Sequence, residues 1–169
     1  EDVLIERVTQ IIGDTFYPDN FGFLLLNSAG DAVVTHPSYR GVNEHSQNVF
    51  PLGQGIVGRV ATAGQPLRVP DVTREPAYIP VVPQMGSELC VPIKIGQRVI
   101  GVINAEARKL DAFSEDDENL LLTVAGQMAT AIQKARLFRA LQTSELQYRS
   151  LVEQLPAVTY IMALDESSS

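Results

Sequence analysis

Phe50-Pro51-Leu52-Gly53-Gln54-Gly55-Ile56-Val57-Gly58-Arg59-Val60-Ala61 decides the reading of this chain. Gly53, Gly55, Gly58 and Val60 spell G-x-G-x-x-G-x-V, the pattern of a kinase glycine loop. That chemistry needs a strand before the motif, a lysine on the next strand, and catalytic-loop and magnesium-ligand motifs beyond. Pro51 precedes the glycines, and no V-A-I-K, H-R-D or D-F-G follows. Arg59 stands where a Walker loop needs Lys-Ser/Thr, so nucleotide phosphate transfer is set aside. Instead, Ile56, Val57, Val60 and Ala61 have helical spacing, and Gly55, Gly58 and Gly64 smooth the helix for close backbone approach. Gly64-Gln65-Pro66 stops it.

Outward from the glycines lie Leu67-Arg68-Val69-Pro70-Asp71-Val72 and Pro76-Ala77-Tyr78-Ile79-Pro80. Ser87-Glu88-Leu89-Cys90-Val91-Pro92-Ile93 and Val99-Ile100-Gly101-Val102-Ile103-Asn104 follow. In this order the four motifs resemble the GAF domain family over about residues 1–142. The resemblance implies an α/β (α+β) sensor domain of a bacterial signalling protein. Its central antiparallel sheet would have five to six strands. The N- and C-terminal helices would pack on one face, with loops and short helices on the other.

The residues themselves set the elements. Val3, Leu4, Val8, Ile11 and Ile12 predict an amphipathic helix ending at Gly13-Asp14. Phe21 to Asn27 and Asp31 to His36 predict a hairpin about the turn Ser28-Ala29-Gly30-Asp31. Residues 37–48 are polar and aperiodic. A short strand spans Leu67 to Val69. The excursion from Asp71 to Gly86, with Pro70, Pro76, Pro80 and Pro83 in or beside it, suits a binding loop or lid. Ser87 to Ile95 and Arg98 to Ala107 predict a second hairpin on the turn Gly96-Gln97. Both strands are nearly continuously apolar, which places them at the sheet centre, covered on both faces.

Ser114 is an N-cap for the longest helix, with Asp117 in the capping-box position and an acidic first turn. Leu121, Ala125, Met128, Ile132 and Ala135 form one apolar stripe that can cover the sheet. Leu120, Val124, Ala131, Phe138 and Leu141 form a second stripe that wants a partner, the first helix or another copy. Gly126 inside this helix predicts a close contact. From Ser144 to Ile161 the chain resembles the opening of a PAS domain: a helix, Pro156, then a strand. The expected organisation is therefore 1–142 GAF sensor and 143–169 linker helix with a truncated PAS start. A continuous helix from Ser114 to about Leu155 would reach about 60 Å.

The apolar fraction of 45% and charged fraction of 20% fit a soluble globular domain. A net charge of −7 argues against a nucleic-acid surface. No apolar run is long enough to span a membrane, and no signal peptide opens the sequence. The single cysteine excludes an internal disulfide and suits the cytoplasm. The abrupt ends suggest an excised piece of a longer chain.

Candidate chemistry is sparse. Cys90 lies in an apolar strand and reads as a buried structural thiol. GAF proteins that reduce methionine sulfoxide use several cysteines, and bilin-binding ones set a histidine beside the cysteine; here Val91 follows. His36 and His45 have no metal-ligand cluster around them. Asn104, Phe113, Asp117 and Glu118 partly match the Asn-Lys…Phe-x-x-x-Asp-Glu motif of cyclic-nucleotide-binding GAF domains, but Ala105 replaces the lysine. The resemblance implies a pocket at Phe50, Ile56, Val57, Asp71, Tyr78, Ile79, Ser87 and Cys90, which could equally close a dry core. The expectation is a non-catalytic cytoplasmic sensor module, with no metal and no assigned cofactor, that binds a small ligand. It would dimerise through its terminal helices and drive a histidine kinase or cyclic-di-nucleotide enzyme in the same polypeptide. Two alternatives stay open: a ligand-free dimerisation module, and a GAF-fold enzyme or cyclic-nucleotide-binding domain.

Overall fold

The computed structural model describes residues 1–17, 19–41 and 48–154. His45 and the strand expected after Pro156 lie outside the described residues. The elements are α1 (Asp2–Thr15), β1 (Asn20–Leu26), β2 (Ala32–Thr35), β3 (Val49–Pro51), α2 (Gly55–Ala63), β4 (Leu67–Val69), β5 (Ser87–Ile95), β6 (Arg98–Ala107) and α3 (Glu115–Gln154). The strands form one antiparallel sheet in the order β3-β2-β1-β6-β5-β4. This is the α+β architecture expected from the sequence. The chain divides into two units, Glu1–Ala135 and Arg136–Ser169.

In the first unit, strand alternation sends successive side chains to opposite faces. Phe21, Phe23, Leu89, Val91, Ile93, Ile103 and Ala105 meet Ile5 of α1 and Leu121, Ala125, Met128 and Ile132 of α3. Leu24, Val33, Cys90 and Val102 meet Ile56, Val57, Val60 and Ala61 of α2 on the other face. β5 and β6 are thus buried on both sides, which is why their sequences barely alternate.

The glycine stretch is structural. The strand before it exists after all: β3 is three residues long and sits at the sheet edge, where Pro51 removes no inner ladder bond. Three amides of the stretch are engaged within the turn and the helix. Gly53 N–H donates to the Gly58 carbonyl, Gln54 N–H to Pro51, and Gly58 N–H to Gln54. Gly55 has φ +66°, and Gly64 ends α2 in the left-handed region at φ +63°. Gly58 is an α2 residue with no room for a Cβ, which would stand 2.3 Å from the Pro51 carbonyl oxygen.

The capping box forms with Asp117 as its acid. Ser114 N–H and Oγ–H both donate to Asp117 Oδ2, at 2.8 and 2.6 Å, and Asp117 N–H donates back to Ser114 Oγ at 3.2 Å. Tyr17 Oη–H donates to Asp117 Oδ1 at 3.0 Å, which ties the α1–β1 connection to the start of α3. Partial burial pushes the Asp117 carboxyl up, but the Ser114 and Tyr17 bonds outweigh it and hold the group below its ordinary value. Ser114→Ala is expected to cost about 1 kcal/mol, read as a lower urea midpoint at unchanged slope.

A Cβ added at Gly126 would meet nothing within 4 Å beyond its own helix among the described residues, contrary to the expected close contact. In the second unit, Leu137, Phe138, Leu141 and Leu146 are exposed. No helix among the described residues is long and apolar enough to cross a membrane.

Candidate functional site

A cavity lies between the sheet and α2. Its floor is set by strand register. Asn20 pairs with Glu106, and Glu106 with Glu88, so β1, β6 and β5 place these three in one row. All three line the cavity, joined from the next row by Asn104. The row after Asn20–Glu106–Glu88 is Gly22–Asn104–Cys90. Gly22 has no room for a side chain because Tyr39 lies across it, with an added Cβ 2.4 Å from the ring. Leu24, Phe50, Ile56, Val57, Ile79 and Val81 supply the apolar walls and roof. The enclosed space is about 30 Å³, enough for a water or two.

The polar floor is buried and crowded with acceptors. Glu88 is 4% and Glu106 5% exposed. Glu106 accepts bonds from Asn20 Nδ2 and, at 3.0 Å, from Tyr78 Oη–H. Asn104 Nδ2 donates to Tyr39 Oη at 3.1 Å. Among the described residues, three buried side-chain polar atoms have no partner: Asn20 Oδ1, Asn104 Oδ1 and Asn48 Nδ2. All three residues line this cavity. A buried polar atom without a partner costs about 1–3 kcal/mol, so a cluster of them points to a ligand or water that completes them.

Burial pushes the Glu88 carboxyl well above its ordinary range, the neighbouring Glu106 charge adds to this, and Asn104 partly offsets it. Glu106 rises by burial too, held back by the bonds from Tyr78 and Asn20. Two carboxylates packed side by side away from water do not both ionise readily. Burial also pushes the Tyr78 and Tyr39 hydroxyls up, with Glu106 contributing. A carboxyl raised in the folded state binds more protons than in the unfolded chain. Its stabilising contribution is therefore full below the ordinary carboxyl pKa and is lost as pH rises toward the raised value. Glu88→Gln removes its share of that slope and leaves that of Glu106. The variant is expected to be more stable than the parent at neutral pH by about 2 kcal/mol, checked by thermal melts across pH.

Of the residues singled out from sequence, Phe50, Ile56, Val57 and Ile79 line the cavity. Tyr78 reaches it through its hydroxyl on Glu106. Asp71 instead caps a short 3-10 turn, accepting from Thr73 N–H at 3.0 Å. Ser87 is an odd-numbered β5 position, like Leu89 and Val91, and so belongs to the opposite face. Its Oγ–H donates to the Lys109 carbonyl at 2.7 Å. Cys90 is fully buried under α2, its thiol pushed up by burial and by both glutamates. His36 is buried against Ser38, with Nδ1 2.8 Å from Oγ. The sequence reading missed Glu88, Glu106 and Asn20. The signal was present: a charge inside each of two strands otherwise apolar enough to be covered on both faces.

A GAF domain family model matches residues 1–133, and the chain belongs to this family. Among solved structures it resembles the X-ray structure of free methionine-R-sulfoxide reductase from Neisseria meningitidis in complex with its substrate. The TM-score is 0.74 and the identity 25%, covering 80% of each chain. The nitrogen fixation protein VnfA of Azotobacter vinelandii is 34% identical over 84 residues, 44% of this chain. The dual 3',5'-cyclic-AMP and -GMP phosphodiesterase 11A of Takifugu rubripes is 31% identical over 111 residues, 61% of this chain. The chain spans 16% and 12% of the lengths of these two relatives. The Neisseria protein corrects one expectation. Membership of a non-catalytic class does not follow from this fold, because a structure this similar is an enzyme.

Proposed function

We propose that this GAF domain binds a small molecule carrying a primary ammonium group on an apolar body, of the free amino-acid class. The unpartnered Asn20 and Asn104 oxygens beside the Glu88–Glu106 pair carry this reading. An ammonium offers three donors and a positive charge to a floor made of acceptors. Asn48 Nδ2 remains for an acceptor at the other end of the ligand, and the apolar walls take its side chain. No Lys, Arg or His is among the described residues lining the cavity, so an anion such as a cyclic nucleotide would face two glutamates uncompensated. A ligand of this size must displace the Ile79–Val81 roof, since pockets for such molecules run to about 300 Å³ or more. Calorimetric titration with free methionine-R-sulfoxide, free methionine, cyclic AMP and cyclic GMP tests the reading. Binding of the first two is expected; binding of the nucleotides alone would overturn it.

The similarity to the Neisseria enzyme favours a second use of the same pocket, reduction of a sulfoxide. Cys90 is the only thiol of the chain; it is fully buried and does not itself line the cavity. It is the cross-strand neighbour of Asn104, which does, so a sulfoxide would reach the Cys90 sulfur only once the packing under α2 opens. Its sulfur would take the sulfoxide oxygen, leaving a thioether and a sulfenic acid. Two equivalents of an external thiol would then restore the cysteine, giving a disulfide and water. Turnover with dithiothreitol that vanishes in Cys90→Ser supports this use; its absence in the parent protein excludes it.

We further propose that residues 1–142 act as a regulatory module and that 143–169 lead by a helix into the opening of a PAS domain. Dimerisation through α1 and α3 would pass pocket occupancy to an effector domain of a cytoplasmic bacterial signalling protein, a histidine kinase or a cyclic-di-nucleotide enzyme. The support is the exposed apolar positions on each helix: Val3, Leu4 and Ile11 on one, Leu137, Phe138 and Leu141 on the other. Sedimentation showing only monomer at high concentration would remove the dimer.

A further inference from the structure

Resting on the ammonium-binding reading above, we infer that the pocket is a cation-for-proton exchanger: Glu88 and Glu106 share one proton when empty and release it as the ligand's ammonium enters. The geometry makes this follow. The two glutamates are direct cross-strand partners on one face of β5 and β6, and both are almost fully buried. Their surroundings supply too few donors for two negative charges. Glu106 takes the bonds from Asn20 and Tyr78, which favour its ionised form. Glu88 is the more deeply desolvated and sits against that charge, so the proton resides there.

Every other titratable group facing the pair stays neutral across the working range. Tyr39 follows β2, Tyr78 comes from the loop before β5, and Cys90 lies on β5 itself; burial raises all three. β1 contributes Asn20, β6 contributes Asn104, and α2 contributes Gly55, Ile56 and Val57, none of which titrates. The exchange therefore conserves charge in the pocket. A neutral acid and a carboxylate become two carboxylates holding one ammonium, and one proton leaves to solvent. The unpartnered oxygens of Asn20 and Asn104 take the remaining N–H groups, as a bare proton cannot.

The consequence is a site whose affinity rises with pH by about tenfold per unit until the pair has lost its proton unaided, then levels off. The same arrangement discriminates between a protonated amine and its isosteric neutral analogue, since only the former replaces the displaced charge.

The test is calorimetry of the intact chain with free methionine-R-sulfoxide, in two buffers of different ionisation enthalpy, repeated between about pH 6 and pH 8. The expected result is release of about one proton per bound ligand above about pH 7, rising toward the acid end as Glu106, itself raised to about 7, also takes a proton, and a matching rise in affinity with pH. Binding with the same heat in both buffers and no pH trend would overturn the exchange and leave the ammonium reading standing. Absence of binding by any ammonium compound would overturn both. Proton release on adding calcium, without response to the amine, would assign the floor to a metal and overturn both as well. Glu88→Gln supplies the second measurement: once its melt shows a folded protein, residual binding is expected to be weaker, with proton release reduced to what Glu106 alone supplies. Undiminished proton release from that variant would also overturn the exchange.

Discussion

Gly58→Val is expected to cost at least about 3 kcal/mol, a large share of a domain's stability, and to leave little folded protein at elevated temperature. An added Cβ alone would stand 2.3 Å from the Pro51 carbonyl and 3.3 Å from Gly53 N. Those atoms belong to the turn that feeds α2. That turn is closed by the Gly53 N–H bond to the Gly58 carbonyl itself, so it cannot yield without losing this bond. The valine also adds χ1 stiffness to a nine-residue helix. Urea titration of Gly58→Ala beside Gly58→Val checks the cause. A steric origin predicts that alanine already carries most of the loss. A wild-type-like midpoint for alanine would show that the helix can move away from β3.

Glu106→Ala is expected to lower affinity for an ammonium ligand by about a hundredfold or more, since charge-assisted bonds of this kind contribute about 1.5–3 kcal/mol each. Three things are lost together. The ligand loses its ionised partner, Asn20 Nδ2 loses its acceptor, and Tyr78 loses the bond that holds the 70–86 loop to the sheet. Tyr78→Phe separates these. It keeps the carboxylate and removes only the loop bond, so its effect should be several-fold smaller. Equal losses in both variants would place the role of Glu106 in loop positioning, not in ligand contact. Calorimetry with free methionine-R-sulfoxide reads all three proteins on one scale.

Much of the fold could be read along the chain because it is local. The α3 cap depends on Ser114 and Asp117, three positions apart. The second hairpin depends on Gly96 and Gln97, with Gly96 at φ +61°. The stripe from Leu121 to Ile132 needed only helical spacing to predict its burial. Gly58 and Gly64 were legible as close approach and helix stop. What escaped was contact at a distance. β3 is three residues ending in proline, and only its pairing with β2 makes it a strand. Ser87, assigned to the pocket by family resemblance, lies by strand parity on the face away from it.

By itself, then, the sequence determined element types, their ends, and which strands must be covered on both faces, since propensity, capping and periodicity act within a few residues. Only the tertiary structure decided what those strands do together. Asn20, Glu88 and Glu106 are far apart in the chain, and register alone brings them into one buried row. A slip of one residue in any of the three strands would turn a carboxylate or an amide to the opposite face. The pairing that prevents it is set by the packing of α1 and α3 on one side and α2 on the other.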